Sequence, residues 1–254
     1  MSPVLLTLLA LAAAVTLLWL LSLRLRDASI VDIFWGCGFV LASVIAYLSS
    51  EGGRRAAIVL ALVTVWGCRL AIYLAWRNLG RGEDYRYQAI RNRYGDSFPV
   101  LSLFIVFGFQ GLLIWIISMP LQIVMARNMP LSPVDLIAGL LWLAGFLFET
   151  IGDLQLARFK ADPANRGKVM DRGLWGYTRH PNYFGDSLVW WGFYLFAFAA
   201  GGWWTVFSPI LMTLLLLKIS GVALLERNLI KTRPDYEDYS RRVSAFIPWK
   251  RQRG

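Results

Sequence analysis

Residues 4–23 read VLLTLLALAAAVTLLWLLSL and contain no charged side chain. A transmembrane α-helix needs roughly 20 mainly apolar residues, so this stretch predicts a helix that spans a lipid bilayer. A secretory signal does not fit, because the apolar run is too long, no basic residue precedes it and no small-residue cleavage site follows it. The stretch therefore indicates an integral membrane protein.

The remaining sequence repeats this apolar character, with 57% hydrophobic and 15% aromatic residues. We predict an all-α, multi-pass protein in which residues 1–254 form a single membrane domain. Residues 227–254 are expected to form a basic cytoplasmic tail, of which the part beyond Asp235 lies on the bilayer surface. The seven predicted transmembrane helices are 3–23, 29–49, 55–76, 101–124, 133–157, 181–200 and 203–226.

The net charge of +10 is unevenly distributed along the chain. Most of the lysines and arginines fall in the tail and in alternate connections, whereas the other connections hold only Arg54, Arg55 and Arg127. The positive-inside rule then places the N-terminus outside and the C-terminus in the cytoplasm. Basic residues beside a membrane, without a nucleic-acid fold motif, argue against nucleic acid as a partner. Two cysteines in apolar runs and a single histidine indicate no metal site.

Polar residues interrupt the apolar pattern near the predicted cytoplasmic side. Asp32 lies one turn into the second span, and Arg69 and Tyr73 lie in the third. Ionisable groups inside a span are costly and usually face a partner or a cavity, so we expect Asp32 to pair with Arg69. The alternative is that Asp32 only caps its helix at headgroup depth.

Two long connections carry further arginines, tyrosines and acids: RNLGRGEDYRYQAIRNRYGD (77–96) and the segment ending in LWGYTRHPNYFGD (174–186). Guanidinium groups match phosphate oxygens, and the bilayer supplies an apolar neighbour. We therefore predict a cytoplasm-facing cavity where a phosphate-bearing cofactor meets a lipid-soluble substrate; the alternatives are a solvated connector and, for His180, a helix cap. The residues expected at the cofactor from this pattern are Arg69, Asp84, Arg86, Tyr87, Arg158, Lys168, Tyr177, Arg179, His180 and Asn182.

Residues 145–250 resemble the steroid 5α-reductase C-terminal domain family, through GDLQLARFK (152–160), GLWGYTRHPNYFGD (173–186) and DYEDYSRRVSAFIPW (235–249). SIVDIFWG (29–36) and GEDYRY (82–87) resemble a largely bacterial branch of that family. The resemblance implies seven helices in a bacterial inner membrane, NADPH (NADP+) entering from the cytoplasm, and hydride delivery to the β-carbon of an enone. The RHPNYFG stretch also resembles isoprenylcysteine carboxyl methyltransferase and related membrane methyltransferases.

The resemblance also assigns roles to single positions. Arg81 and Lys160 match phosphate-binding basic residues, and Asn182 with Asp186 matches an Asn-x-x-x-Glu pair beside the dinucleotide. The other matching cofactor positions are Asp153, Glu226 and Arg227.

In the reductases a glutamate of the second span and a tyrosine of the third bind the substrate carbonyl. Asp32 matches the glutamate, and we expect burial to keep its carboxyl group protonated. Trp66 occupies the tyrosine position, where an indole N–H donates a hydrogen bond but cannot give up its proton. Tyr73, seven residues further on the same helix face, is the expected substitute.

These patterns favour a membrane-embedded, NADPH-dependent oxidoreductase that reduces the C=C bond of an enone in a steroid or other lipid. One alternative is an S-adenosylmethionine-dependent membrane methyltransferase acting on a lipid-like substrate. The other is a non-enzymatic membrane protein such as a transporter, which predicts polar groups near the bilayer midplane on several helices.

Overall fold

The computed structural model describes residues 1–219, 233 and 235–250, and every regular element in these residues is a helix. The chain divides into two compact units, which are described separately. The first comprises Met1–Ser132 and Phe196–Thr205, and the second comprises Pro133–Leu195 and Val206–Gly254.

The first unit is built from three long helices followed by a helical run with short breaks. Ser2 caps the first helix, where its Oγ accepts a hydrogen bond from the backbone N–H of Leu5 and Pro3 occupies the first turn. A π-helical segment, Leu103–Gly108, joins the fifth helix to the sixth. The helices are α1 Pro3–Leu25, α2 Ile30–Leu48, α3 Arg54–Asn78, α4 Tyr85–Tyr94, α5 Phe98–Ser102, α6 Phe109–Ile117 and α7 Met119–Met125.

The second unit contains the longest helix of the chain, α8 (Pro133–Ala161), and α9 (Pro181–Ala199), whose last turn belongs to the first unit. They are followed by α10 (Phe207–Leu214) and, after the undescribed residues, by the short α11 (Tyr236–Arg242).

Five helical segments are long and apolar enough to cross a membrane: Pro3–Leu25, Ile30–Leu48, Arg54–Asn78, Tyr85–Ile117 and Pro133–Ala161. The multi-pass, all-helical prediction is therefore confirmed for the part of the chain that the structure describes. The sixth predicted span coincides with α9, and the start of the seventh coincides with the shorter apolar helix Trp203–Lys218. Residues 220–226 of the seventh predicted span lie outside the described residues.

Glycines allow the helices of each unit to approach closely. A Cβ added to Gly67 of α3 would lie 2.7 Å from the carbonyl oxygen of Gly36 on α2, so the backbones touch where only glycine fits. In the second unit a Cβ on Gly145 of α8 would lie 2.6 Å from the carbonyl oxygen of Gly185 on α9. Close contact through small residues is how helices associate where lipid removes the hydrophobic driving force.

We predict that Gly67→Val destabilises the protein, because the added side chain must separate α2 from α3. Overpacking of this kind costs about 1–3 kcal/mol. The matched control is Ala61→Val on the exposed side of α3, and both variants are compared by thermal denaturation in the same detergent. Equal melting temperatures for the two variants would contradict the close α2–α3 contact.

Candidate functional site

Arg86 and Tyr87, which the sequence predicted at the cofactor, both bind the Asp32 carboxylate. The Tyr87 hydroxyl donates to Oδ1 of Asp32 at 2.6 Å, and the Arg86 Nη2 atom donates to Oδ2 at 2.6 Å. Gln110 of α6 donates from its Nε2 atom to the Tyr87 hydroxyl oxygen at 3.0 Å. Tyr87 is only 6% exposed, whereas the side chains of Asp32 and Arg86 are 18% and 30% exposed, so the hydrogen-bonded chain runs from the interior of the unit towards its surface. We call Asp32, Asp84, Arg86, Tyr87 and Gln110 the Asp32 cluster.

The start of α4 positions two of these side chains. Asp84 is the N-cap, and its Oδ1 atom accepts hydrogen bonds from the backbone N–H of Arg86 at 3.0 Å and from the Arg86 Nε atom at 2.9 Å. The cap therefore fixes the helix start and the guanidinium group together. Arg86 contacts two carboxylates at once, and this explains how a charged side chain is accommodated beside the membrane core.

A second ion pair locks the segment before α4 onto the turn between α1 and α2. Arg91 donates to both carboxylate oxygens of Glu83 at 2.8 Å, and the Ala28 backbone N–H donates to Oε1 of Glu83 at 2.8 Å. The Arg91 guanidinium lies 4.3 Å from the centroid of the Phe98 ring. These contacts fix the position of α4, which carries Arg86 and Tyr87 of the Asp32 cluster.

Two carboxyl groups outside the spans have lowered pKa values. Burial disfavours the charged form of Glu83, but the hydrogen bonds from Arg91 and Ala28, together with the Arg91 charge, hold its pKa below the usual value. Burial likewise opposes the charged form of Asp84. The hydrogen bonds from the Arg86 side chain and backbone and the charges of Arg86 and Arg77 outweigh that effect and lower the pKa of Asp84. Both groups are therefore ionised at neutral pH.

Other first-unit residues that the sequence indicated lie outside the Asp32 cluster. The guanidinium that contacts Asp32 belongs to Arg86, whereas we expected Arg69, which is half-buried in α3. Trp66 is fully buried, with its ring centroid 5.8 Å from that of Phe39, and acts as a core residue. The Tyr73 ring packs near Trp76 and Arg77 on α3. Arg81 is exposed between α3 and α4.

In the second unit, buried polar side chains gather where α8 and the start of α9 lie together. The Asn182 Nδ2 atom donates to Oδ1 of Asp153 at 3.1 Å, which joins two residues predicted to contact a cofactor. The Oδ1 atom of Asn182 is buried and accepts no hydrogen bond from the described residues. Glu149, Asp186 and His180 are buried as well. We call Glu149, Asp153, His180, Asn182 and Asp186 the Asn182 cluster.

The C-terminal segment holds the connection between α8 and α9. The Tyr239 hydroxyl donates to the Trp175 carbonyl oxygen at 2.6 Å, and the Trp175 indole N–H donates to the Gly152 carbonyl oxygen at 3.0 Å. Tyr236, Tyr239 and Val243 form a small core with Val169. Within the tail that the sequence predicts at the bilayer surface, α11 turns its aromatic face towards the connection.

An open hollow of about 370 Å³ lies between α11 and this connection. Its charged lining holds three basic and three acidic side chains, and Asp238 pairs with Arg242 at 2.7 Å. The aromatic rings of Phe159 and Tyr239 complete the wall. The charged residues of the lining are Lys168, Asp171, Arg172, Asp235, Asp238 and Arg242.

The remaining predicted cofactor residues are distributed around the same connection. Arg158, Lys160 and Tyr177 are exposed, and the Arg179 Nη1 atom donates to the Ser240 carbonyl oxygen at 2.8 Å. The imidazole of His180 stacks on the Tyr183 ring, with centroids 5.5 Å apart. Glu226 and Arg227 lie outside the described residues. Among the residues with described positions, no group of three or more His, Cys, Asp and Glu side chains could hold a metal ion.

Sequence reasoning missed several residues of these clusters. Gln110 is a single polar residue within an apolar helix, a signal that could have been noticed. Glu83 and Arg91 gave no comparable signal, because charged residues in a connection are usually solvated. The contact of Tyr239 with Trp175 joins residues far apart in the sequence, which no local pattern reveals.

Comparisons with known proteins relate the chain to a family of unknown function. A family model described as a protein of unknown function, DUF1295, matches residues 18–243. The chain is similar to an uncharacterized protein of Schizosaccharomyces pombe, with 28% identity over 243 residues that cover 85% of this chain and 67% of the yeast protein. No solved structure matches the chain.

The Glu83–Arg91 ion pair predicts a specific pH dependence of stability. A carboxyl group with a lowered pKa in the folded state stabilises the protein above its unfolded pKa, and the contribution is lost as the pH falls through the folded value. We expect Glu83→Gln to lower stability by about 1–3 kcal/mol at neutral pH. The difference from the wild type should shrink below pH 4.5, the usual pKa of a glutamate.

The measurement is the melting temperature of both proteins in detergent from pH 7 to pH 3. The control is Glu51→Gln, at an exposed position between α2 and α3, for which we expect little change at any pH. A Glu83→Gln deficit that stays constant down to pH 3 would contradict an ionised, hydrogen-bonded Glu83.

Proposed function

We propose that this chain, which belongs to the DUF1295 family of proteins of unknown function, is a membrane-embedded, NADPH-dependent reductase. Its reaction is hydride addition to the C=C bond of an enone in a steroid or other lipid-like substrate. The observation that carries the proposal is the 2.6 Å hydrogen bond between the Tyr87 hydroxyl and Asp32, with Arg86 bound to the same carboxylate. An acid paired with a tyrosine is the arrangement that the sequence resemblance implies, although Trp66 stands at the expected tyrosine position.

The chemistry requires a proton donor near the substrate carbonyl. Hydride addition to the β-carbon leaves negative charge on the carbonyl oxygen, which a hydrogen-bond donor stabilises and a proton neutralises. The pair formed by Asp32 and Tyr87 holds a transferable proton even when Asp32 is ionised, because the hydroxyl keeps its own. Arg86 balances the negative charge that remains on the pair after the proton leaves, and water restores the proton. NADPH, once bound, supplies the hydride.

The cofactor is assigned to the second unit. The Oδ1 atom of Asn182, which accepts no hydrogen bond from the described part of the chain, offers a buried acceptor, and Asp153 fixes the amide that carries it. Exposed basic side chains at Arg158, Lys160 and Lys168 supply donors of the kind that bind phosphate oxygens. The hollow between α11 and the connection has room for part of a nucleotide, and its carboxylates suit ribose hydroxyl groups. The donor set therefore fits a dinucleotide.

The proposal includes a topology of seven membrane-crossing helices, in which α9 and the helix beginning at Trp203 complete the five long spans. The protein lies in a bacterial inner membrane, with its N-terminus outside and its C-terminus in the cytoplasm. NADPH is available on the cytoplasmic side. The clustering of basic residues in alternate connections supports this orientation.

A second candidate is methyl transfer from S-adenosylmethionine to a lipid-like substrate. Its support is the RHPNYFG sequence and the balanced charge of the hollow, which suits a nucleoside as well as a phosphate. The Asp32 cluster favours the reductase, since methyl transfer has no evident need for a buried tyrosine bound to a carboxylate.

We predict that NADPH stabilises the purified protein thermally and that Asn182→Ala weakens NADPH binding at least tenfold, because the variant loses the amide that faces the cofactor. Asn92→Ala, at an exposed position on α4, should bind as tightly as the wild type. Binding is measured by isothermal titration in lipid nanodiscs, with S-adenosylmethionine titrated in parallel. Stabilisation by S-adenosylmethionine without any response to NADPH would select the methyltransferase.

We also predict that Tyr87→Phe and Asp32→Asn each lower turnover by about 10²-fold or more, the usual scale for loss of a general acid. NADPH affinity should change little, because these residues belong to the proton-donating pair. The matched control is Tyr85→Phe, in the same motif but with its side chain exposed. The assay follows NADPH oxidation with a 3-oxo-4-ene steroid and a set of shorter enones. Unchanged turnover in Tyr87→Phe would remove the pair from the mechanism.

A further inference from the structure

An aromatic and basic surface lies at the end of the connection between α8 and α9. Tyr177, Ile247 and Trp249 are 54%, 65% and 71% exposed, although each is large and apolar. Tyr177, Pro248, Trp249 and Lys250 line an open cleft of about 450 Å³. We call Tyr177 and residues 247–250 the anchor patch.

The backbone of the anchor patch is fixed by hydrogen bonds. The Trp249 backbone N–H donates to the Tyr177 carbonyl oxygen at 3.0 Å, and the Arg179 backbone N–H donates to the Ser244 carbonyl oxygen at 2.9 Å. The Thr178 hydroxyl donates to the Phe246 carbonyl oxygen at 2.8 Å. Since the chain on both sides is held, the exposed rings project from a defined surface.

The sequence at the end of the anchor patch is basic. Residues 243–254 contain Lys250, Arg251 and Arg253 and no acidic residue, whereas Arg241 and Arg242 pair with Glu237 and Asp238 on α11. Trp and Tyr prefer the level of the lipid headgroups, and nearby basic residues are attracted to anionic lipids. Tyr177 also lies four residues before α9, in a protein with five helical segments long and apolar enough to cross a membrane.

We propose that the anchor patch binds the headgroups of anionic phospholipids. Lys250 contacts the lipid phosphate, and Trp249, Tyr177 and Ile247 enter the interfacial region of the bilayer. Because the patch is bonded to residues 177–179, bound lipid also steadies the chain that leads into the Asn182 cluster. This inference is independent of the reductase assignment.

The first test measures the depth of the patch in the membrane. Cys37 and Cys68 are replaced by serine, and Ile247→Cys carries an environment-sensitive fluorophore in nanodiscs of phosphatidylcholine alone or mixed equally with phosphatidylglycerol. We expect a lipid-borne quencher to quench this label several-fold more than one at Glu237→Cys, an exposed position on α11. Quenching should also increase with phosphatidylglycerol. Equal quenching at the two positions, or no response to phosphatidylglycerol, would overturn the proposal.

The second test measures the energetic effect of the lipid. Phosphatidylglycerol should raise the melting temperature of the wild type, and Trp249→Ala combined with Lys250→Glu should abolish that rise. Arg166→Glu makes the same change in charge as Lys250→Glu at an exposed position in the connection and should leave the rise intact. An equal loss in both proteins would mean that net charge alone attracts the lipid, and the anchor patch would then be wrong as a specific site.

Discussion

A carboxylate within an apolar helix must find donors, and the arrangement of the first unit follows from meeting this need at Asp32. Tyr87 and Arg86 reach the carboxylate from the start of α4, and Gln110 of α6 holds the tyrosine in turn. Satisfying one half-buried charge therefore brings together segments that are distant in sequence. A charged group within an apolar helix costs free energy when it lacks a partner, and the hydrogen bonds from Tyr87 and Arg86 offset that cost.

The apolar spans could be predicted because a bilayer demands helices of a certain length, and α1, α2, α3 and α8 begin within a few residues of the expected positions. The partner of Asp32 could not be predicted. Helical periodicity places Arg69 and Tyr73 on one face of α3, but it does not predict that the segment after α3 folds back onto α2. The capping of α4 by Asp84, which brings Arg86 and Tyr87 to Asp32, depends on the conformation of that connection.

In the second unit, too, some contacts could be predicted from the sequence and others could not. The Asp153–Asn182 contact was foreseeable, because a motif resemblance named both residues and the glycine-lined crossing of α8 and α9 permits it. The docking of α11 was not. Its spacing of Tyr236, Tyr239 and Val243 marks one apolar face, and such a face fits a bilayer or a protein surface equally well. The hydrogen bond that the Tyr239 hydroxyl donates to the Trp175 carbonyl oxygen shows that this face packs on the protein.

The placement of polar groups also bears on the choice between an enzyme and a transporter. A transporter needs ligands near the bilayer midplane, commonly at broken helices. Here most residues of the Asp32 and Asn182 clusters lie at helix starts, whereas Glu149 and Asp153 lie in the second half of α8. The middle of α3 holds the glycine contact, the core residue Trp66 and the half-buried Arg69. Further contacts support each cluster. In the first unit these are the hydrogen bonds between Glu83 and Arg91, and in the second unit they come from the C-terminal segment. Rigid support of this kind suits groups that must be positioned for a reaction, because small displacements are costly in catalysis.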